Sequence, residues 1–371
     1  CGEGTLMTKL VAPQTFDREY NVKAFGAVGD GVADDTAEIN AALQACFDAG
    51  GGTVRIPAGS YKTSGSLIIR SDTTLICDNN VTITRTAAGA MLTNGGQGED
   101  QAVYGGHGNI TVRGGIWNIN GPVVQTANLG FAFGHGQNIR FEDCVFKDAD
   151  QNHAVETNSC KNVRIKNCQF LGLYLGAADA TLMEAYQIDL ALAGTFGAFG
   201  LEDSTPCTDV LVEGCYFGAS GTGSTVVWPR GVGSHSGSNG FSHTNIRIEN
   251  NVFDSVSGTA VPLFGYQRVQ VKGNTFISCA AGIYCNSASS QDIRDFVISN
   301  NNFRSLGTSN PAITFAPSTG TAFNIVISNN SIDASSSGTK AKGILLSRTT
   351  DATITGNVIK SVGNSGIVLD N

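Results

Sequence analysis

One nine-residue pattern recurs nine times along this chain and restricts its fold more than any other feature. It begins as NITVRGGIW ending at Trp117. It continues as NIRFEDCVF ending at Phe146, NVRIKNCQF at Phe170, DVLVEGCYF at Phe217 and NIRIENNVF at Phe253. RVQVKGNTF ends at Phe276, DFVISNNNF at Phe303, NIVISNNSI at Ile332 and DATITGNVI at Ile359. Each copy is an alternating β-branched strand, a small polar turn and a large apolar residue, so every second side chain points inward. The intervals Phe146–Phe170, Phe253–Phe276 and Phe276–Phe303 are 24, 23 and 27 residues. One turn of a three-sided coil needs about that many, whereas a propeller blade needs roughly 40–50.

The terminal Phe or Ile of each copy is expected to stack on its counterparts above and below. Two positions earlier lies a second column: Cys144, Cys168 and Cys215, then Asn251, Asn274, Asn301, Asn330 and Asn357. An inward asparagine at a turn can bridge backbone groups of neighbouring coils. Cysteines at a repeat position where later repeats carry asparagine read as buried thiols, not as a disulfide framework. No zinc spacing is present. The expected fold is all-β: a single-stranded right-handed parallel β-helix, a solenoid with a short N-terminal capping helix. With 371 residues, 47 of them glycine and only 15% charged, the composition suits stacked short strands.

Residues 20–62 differ from the repeats. Asp34 and Asp35 precede TAEINAALQACF, whose apolar residues recur at helical spacing; Gly50 to Gly52 end it, and TVRI opens a strand. Such a helix would cover the open end of the coil stack. The division expected is an extension over 1–19, a capping segment over 20–62 and the β-helix over 63–371. Phe170–Phe217 and Phe217–Phe253 span 47 and 36 residues, too many for single coils. Long loops are therefore expected around 172–183, 193–208, 218–229 and 236–243, and long loops on a rigid scaffold carry function.

A further short strand precedes each repeat. These read AVETN from Ala154, AYQID from Ala185 and GVGSH from Gly231, then AVPLF from Ala260 and GIYCN from Gly282. Their third and fifth positions are expected to face solvent. Polar and ionisable residues concentrate there on three consecutive coils flanked by the long loops. Stacking at about 4.8 Å puts Glu156 beside Gln187, and Asp189 between Asn158 and His235. Glu156 and Asp189 read as an acid and base pair for a glycosidic bond, with Glu184 as a reserve carboxylate and His235 as a catalytic partner of Asp189. His153, Asn158, Gln187 and Arg230 read as substrate-binding groups, the cationic ones for a carboxylate or sulfate. Gly233 would leave room for a sugar ring. Single surface acids on such a scaffold are usually only solvated; the clustering of these is what singles them out. The same oxygens could instead hold calcium, but no metal and no cofactor is assigned. RIK at Arg164 to Lys166 lies inside a repeat strand and is given no role.

FGAVGDGVADDTAEINAAL followed by GGTVRIPAGSY resembles the opening of the pectate-lyase-like β-helix superfamily. Polygalacturonase-type hydrolases, polysaccharide lyases and phage tailspike depolymerases belong to it. In that family the segment is a structural cap, so Asp30, Asp34 and Asp35 are given no catalysis. The resemblance implies a polysaccharide-degrading enzyme, a glycoside hydrolase of a phage or prophage tail that trims a bacterial surface glycan. The alternatives are a lyase on a uronic-acid polymer, with His235 or His153 and Arg230 as its base and cation, and a non-catalytic glycan-binding spike. Polygalacturonase-type hydrolases carry more aspartates than AYQID supplies, which leaves the hydrolase subtype open. The family also implies a homotrimer and an extracellular or virion-borne protein. A net charge of −8 without basic blocks argues against nucleic acid as partner, and no apolar run is long enough for membrane insertion. The N-terminus lacks the apolar core of a signal peptide, and GIVLDN ends the chain inside a repeat, as in a piece of a longer spike.

Overall fold

The computed structural model describes residues 18–96, 98–176, 182–192, 200–234, 240–287, 291–307, 310–334, 342–363 and 365–370. Every coil after the first, which carries a helix in place of a third strand, contributes a strand to each of three faces. The first face is a 12-stranded parallel sheet that includes Gln137–Glu142 and Lys161–Lys166, and the second is a 12-stranded sheet that includes Val145–Asp150 and Gln169–Tyr174. The third face is built from a six-stranded sheet, with Phe131–Gly134, Val155–Asn158, Glu184–Asp189 and Arg230–Gly233, followed by a five-stranded one that starts at Thr259–Phe264. The repeat seen in the sequence is thus a first-face strand, a turn and the start of a second-face strand.

The turn explains the residue choice. The position just before the Cys/Asn column is Asp143, Asn167, Gly214, Asn250, Gly273, Asn300, Asn329 or Gly356, and each has φ between 54° and 70°. Only Gly, Asn and Asp enter that left-handed region at low cost. Gly273 has a second reason: a Cβ there would lie 2.4 Å from Asn250 Oδ1 in the coil below.

The two inward columns form as expected. Phe146, Phe170, Phe217, Phe253, Phe276 and Phe303 stack with ring centroids 5.0, 4.7, 4.7, 5.0 and 4.4 Å apart. Asn251, Asn274, Asn301 and Asn330 each donate Nδ2 to the Oδ1 of the next asparagine, at 3.0, 3.0, 3.0 and 2.9 Å. The same Oδ1 atoms accept the backbone N–H of the coil before, so each asparagine pairs groups the turn would otherwise bury unpaired. The cysteines among the described residues are all free thiols and all buried.

The helix Thr36–Asp48 buries Ile39, Ala42, Leu43 and Cys46 against the first coils. Its segment also supplies strands Glu19–Asn21 and Asp30–Asp34, which pair into the first and second faces, so the sheets run without a break across residue 62. The three aspartates beside it are structural. Asp30 accepts the N–H of Val32 and Ala33, Asp34 that of Thr36, and Asp35 those of Val28 and Gly29.

Candidate functional site

The third face brings the singled-out residues into vertical register. Glu156 pairs with Gln187 and Asn158 with Asp189 across adjacent coils, while Glu184 pairs with Arg230 and Gln187 with Gly233 across the next. Two carboxylates and two amides therefore form a checkerboard. Along its own strand, Asn158 Nδ2 donates to Glu156 Oε1 at 2.8 Å; along the next, Gln187 Nε2 donates to Asp189 Oδ2 at 2.7 Å. Each carboxylate has an amide both beside it and opposite it, and the carboxylates meet only on the diagonal. His235 lies outside the described residues, as do parts of the expected loops, 177–181, 193–199 and 235–239.

Burial departs from the expectation of a solvent-facing row. Glu156, Asn158, Gln187 and Asp189 are 4%, 0%, 3% and 2% exposed. Chain beyond the strands closes over this end of the face. Ala191 N–H donates to Ser159 Oγ, Ser159 Oγ to the Thr205 carbonyl, and Ser204 N–H to the Ala191 carbonyl. Sequence alternation names the outward side of a strand but not what a returning loop lays on it.

The two acids are equally buried but differ in their hydrogen-bond donors. Burial pushes the Glu156 carboxyl up to about 8, against a donor bond from Asn158 and with help from the negative charges of Asp189 and Glu184. Glu156 is thus protonated at neutral pH. Asp189 accepts Gln187 Nε2 and, at 2.8 Å, the Leu190 N–H. A neutral acid and a donor-supported carboxylate on neighbouring coils can give a proton and take one.

Glu184 and Arg230 share the strand parity of the core residues Tyr186 and Val232, at the corner where the strands enter. Glu184 is fully buried, with Oε1 3.1 Å from Arg230 Nη1 and Oε2 3.7 Å from His153 Nδ1. His153 also donates Nδ1–H to the Glu184 carbonyl oxygen at 2.8 Å. The Gly233 expectation needs correcting. A Cβ at Gly233 would lie 1.7 Å from the Pro262 carbonyl oxygen, and φ is +151°. The space belongs to the next coil's backbone, which accepts the Ser234 N–H at 3.0 Å, and not to a sugar.

Beyond Gly233 the same file of positions opens into a cleft of about 360 Å³ lined by Arg230, Pro262, Phe264, Tyr284, Thr314 and Leu345, among others. Phe264 and Tyr284 pack at 5.6 Å between ring centroids. The sequence signal for these two was their place in the outward columns, but an aromatic in an apolar strand reads as core. Among the described residues no group of His, Cys, Asp and Glu is arranged to hold a metal ion, and no helix is long and apolar enough to cross a membrane.

Residues 231–371 match the family model for a right-handed β-helix region, and residues 20–120 match the model described as rhamnogalacturonase A/epimerase, pectate lyase-like. The chain is a pectate-lyase-like right-handed parallel β-helix. This β-helix is 26% identical to the plasmin and fibronectin-binding protein A of Streptococcus pneumoniae (strain ATCC BAA-255 / R6), over 99% of its own length and 57% of that protein's. It is 49% identical to mannuronan C5-epimerase AlgE5 of Azotobacter vinelandii over 87 residues, 24% of this chain and 9% of that one. The chain thus spans little more than half of the one relative and a small part of the other. The solved structure of the Streptococcus pneumoniae surface protein and adhesin PfbA superposes with a TM-score of 0.80 at 23% identity, covering 95% of this chain and 100% of that one. That likeness is one of fold.

Proposed function

We propose that this β-helix is a glycoside hydrolase acting on a polysaccharide laid along its third face, with Glu156 as proton donor and Asp189 as the partner carboxylate. The checkerboard carries the reading: two buried acids on adjacent coils, each with its own amide, in unequal hydrogen-bonding surroundings. Strand and coil spacings put their Cα atoms about 8 Å apart on the diagonal, which suits two acids flanking one glycosidic bond. Glu156 would protonate the leaving oxygen while Asp189 activates water or attacks the sugar. Substrate would be held in the adjoining cleft by Phe264, Tyr284 and Arg230. The matched family description, rhamnogalacturonase A/epimerase, and the name of one relative, a mannuronan C5-epimerase, support a glycan as the substrate class.

The test is digestion of a panel of bacterial capsule and wall glycans, with fragments weighed by mass spectrometry. Hydrolysis releases new reducing ends without ultraviolet-absorbing unsaturated sugar, and Glu156→Gln and Asp189→Asn each lower the rate by about 10²-fold or more. Unsaturated products would move the assignment to a lyase. Against that alternative, His153 Nδ1 is engaged with Glu184 and Arg230 is ion-paired to the same residue.

One observation favours a second reading, a glycan- or matrix-binding spike without catalysis. The carboxylates are closed off, whereas the aromatic cleft beside them is open, and a surface adhesin shares the fold. Binding of a panel member with no cleavage at any enzyme concentration would establish it. Either reading sets the protein outside a cell or on a virion, where such polymers are met. A homotrimer belongs to the proposal, and sedimentation velocity measures it directly.

A further inference from the structure

The first face carries a feature the third-face site does not use. Arg140, Arg164, Leu211 and Arg247 occupy one outward column on four consecutive coils. Leu211 points outward yet is only 6% exposed. Its register neighbours are Arg164 and Arg247, whose long side chains flank it on either side. Arg268 joins them at the edge of a cavity of about 310 Å³ that Arg164 and Arg247 also line; a second, of about 410 Å³, lies between Arg140, Arg164 and Arg247.

Most of the nearby acids are already matched; Glu249, which lines the second cavity, has no ion pair among the described residues. Glu142 pairs with Arg113 at 2.6 Å and Glu213 with Lys166 at 2.8 Å. Asp209 accepts Asn245 Nδ2 and Asp295 accepts Asn324 Nδ2. Arg164 donates only to the Val163 and Asp209 carbonyl oxygens. Among the described residues, Arg140, Arg247 and Arg268 have no ion pair. Like charges have been gathered on one stripe while most opposite charges beside it, Glu249 apart, are engaged by other partners. That arrangement costs self-repulsion, and an external anion relieves it.

We propose that this arginine stripe is a second binding surface, on a different face from the carboxylate site, for an acidic polysaccharide lying along the helix axis. Guanidinium groups suit carboxylates and sulfates, which they grip with two parallel N–H donors. Coils about 4.8 Å apart offer those donors in steps of the same order as a sugar unit. Nucleic acid fits less well. The stripe and its cavities offer no aromatic ring for base stacking.

The test uses the full chain and two probes, polygalacturonate and dextran sulfate, with neutral dextran as control. The Tyr284→Ala background removes the aromatic platform of the third face. Binding to at least one acidic probe, weakened by added salt, is expected, with a loss of tenfold or more in Arg140→Gln/Arg164→Gln/Arg247→Gln. Should that variant misfold by circular dichroism, phenylglyoxal labelling of the unaltered chain replaces it: the acidic probe must shield Arg140, Arg164 and Arg247 from modification. No preference over dextran, unchanged affinity in the triple variant, absence of shielding, or equal displacement by double-stranded DNA would each overturn the proposal.

Discussion

Asn158 stands opposite Asp189 in the adjacent coil, yet gives its amide N–H to Glu156 on its own strand. Its Oδ1 is left buried without a hydrogen-bond partner. An unpaired buried carbonyl costs about 1–3 kcal/mol, and a fold tolerates that where the group has a use. On the proposed function, that cost is the price of holding the Asn158 amide against Glu156.

The protonated state of Glu156 makes stability depend on pH. Its carboxyl titrates at about 8 in the fold and near 4.5 when exposed. Between these values the folded chain holds a proton that the unfolded chain has released. The associated stability is complete below about 4.5 and is lost as pH rises through about 8. Glu156→Gln keeps the neutral shape at every pH. The melting temperature of the native chain should therefore fall relative to this variant from about pH 5 to pH 9, by calorimetry. Parallel curves would mean that Glu156 is ionised in the folded protein.

Arg230→Gln leaves Glu184 fully buried with no guanidinium beside it. Loss of one member of a buried pair costs about 3 kcal/mol. The expected result is a lower urea midpoint, part of which returns when Glu184→Gln is added. A midpoint unchanged by Arg230→Gln would show that His153 alone suffices for that carboxylate.

Asn274→Ala removes the acceptor of the Asn251 N–H and the donor to the Ile248 carbonyl oxygen. Two buried groups then go unpaired, and a loss of about 3 kcal/mol in chemical denaturation is expected. Cys168→Ala, at the same repeat position three coils away, breaks only weaker thiol contacts to the Phe141 and Lys166 carbonyl oxygens and should cost about 1 kcal/mol.

Phe276 and Tyr284 test the inner and outer sides of one coil. Phe276→Ala opens the aromatic stack and should lower stability by about 3–5 kcal/mol. Tyr284→Ala, at the half-buried wall of the cleft, should leave the melting temperature nearly unchanged and weaken glycan binding by about tenfold. Equal effects of the two on stability would argue that Tyr284 is a core residue and not a binding platform.

The solenoid was legible in the sequence because its contacts are local to a repeat. Strand alternation, a left-handed turn residue and one apolar anchor recur at each coil, so Phe146 predicts the place of Phe170, and Asn251 that of Asn274. Register on the third face followed from the same rule, and Glu156 duly meets Gln187. Three matters lay beyond that rule and were decided in three dimensions. The cover over the carboxylates comes from chain returning near residues 191 and 204–205, and no repeat encodes a loop's path. The space at Gly233 was claimed by the backbone of Pro262, a contact between coils of unequal shape. The isolation of the arginine stripe depends on which carboxylates have been taken by other partners. Periodicity sets which residues share a column; the protonation of Glu156 and the freedom of Arg140 and Arg247 depend on burial and on neighbouring charge, which only the assembled coils define.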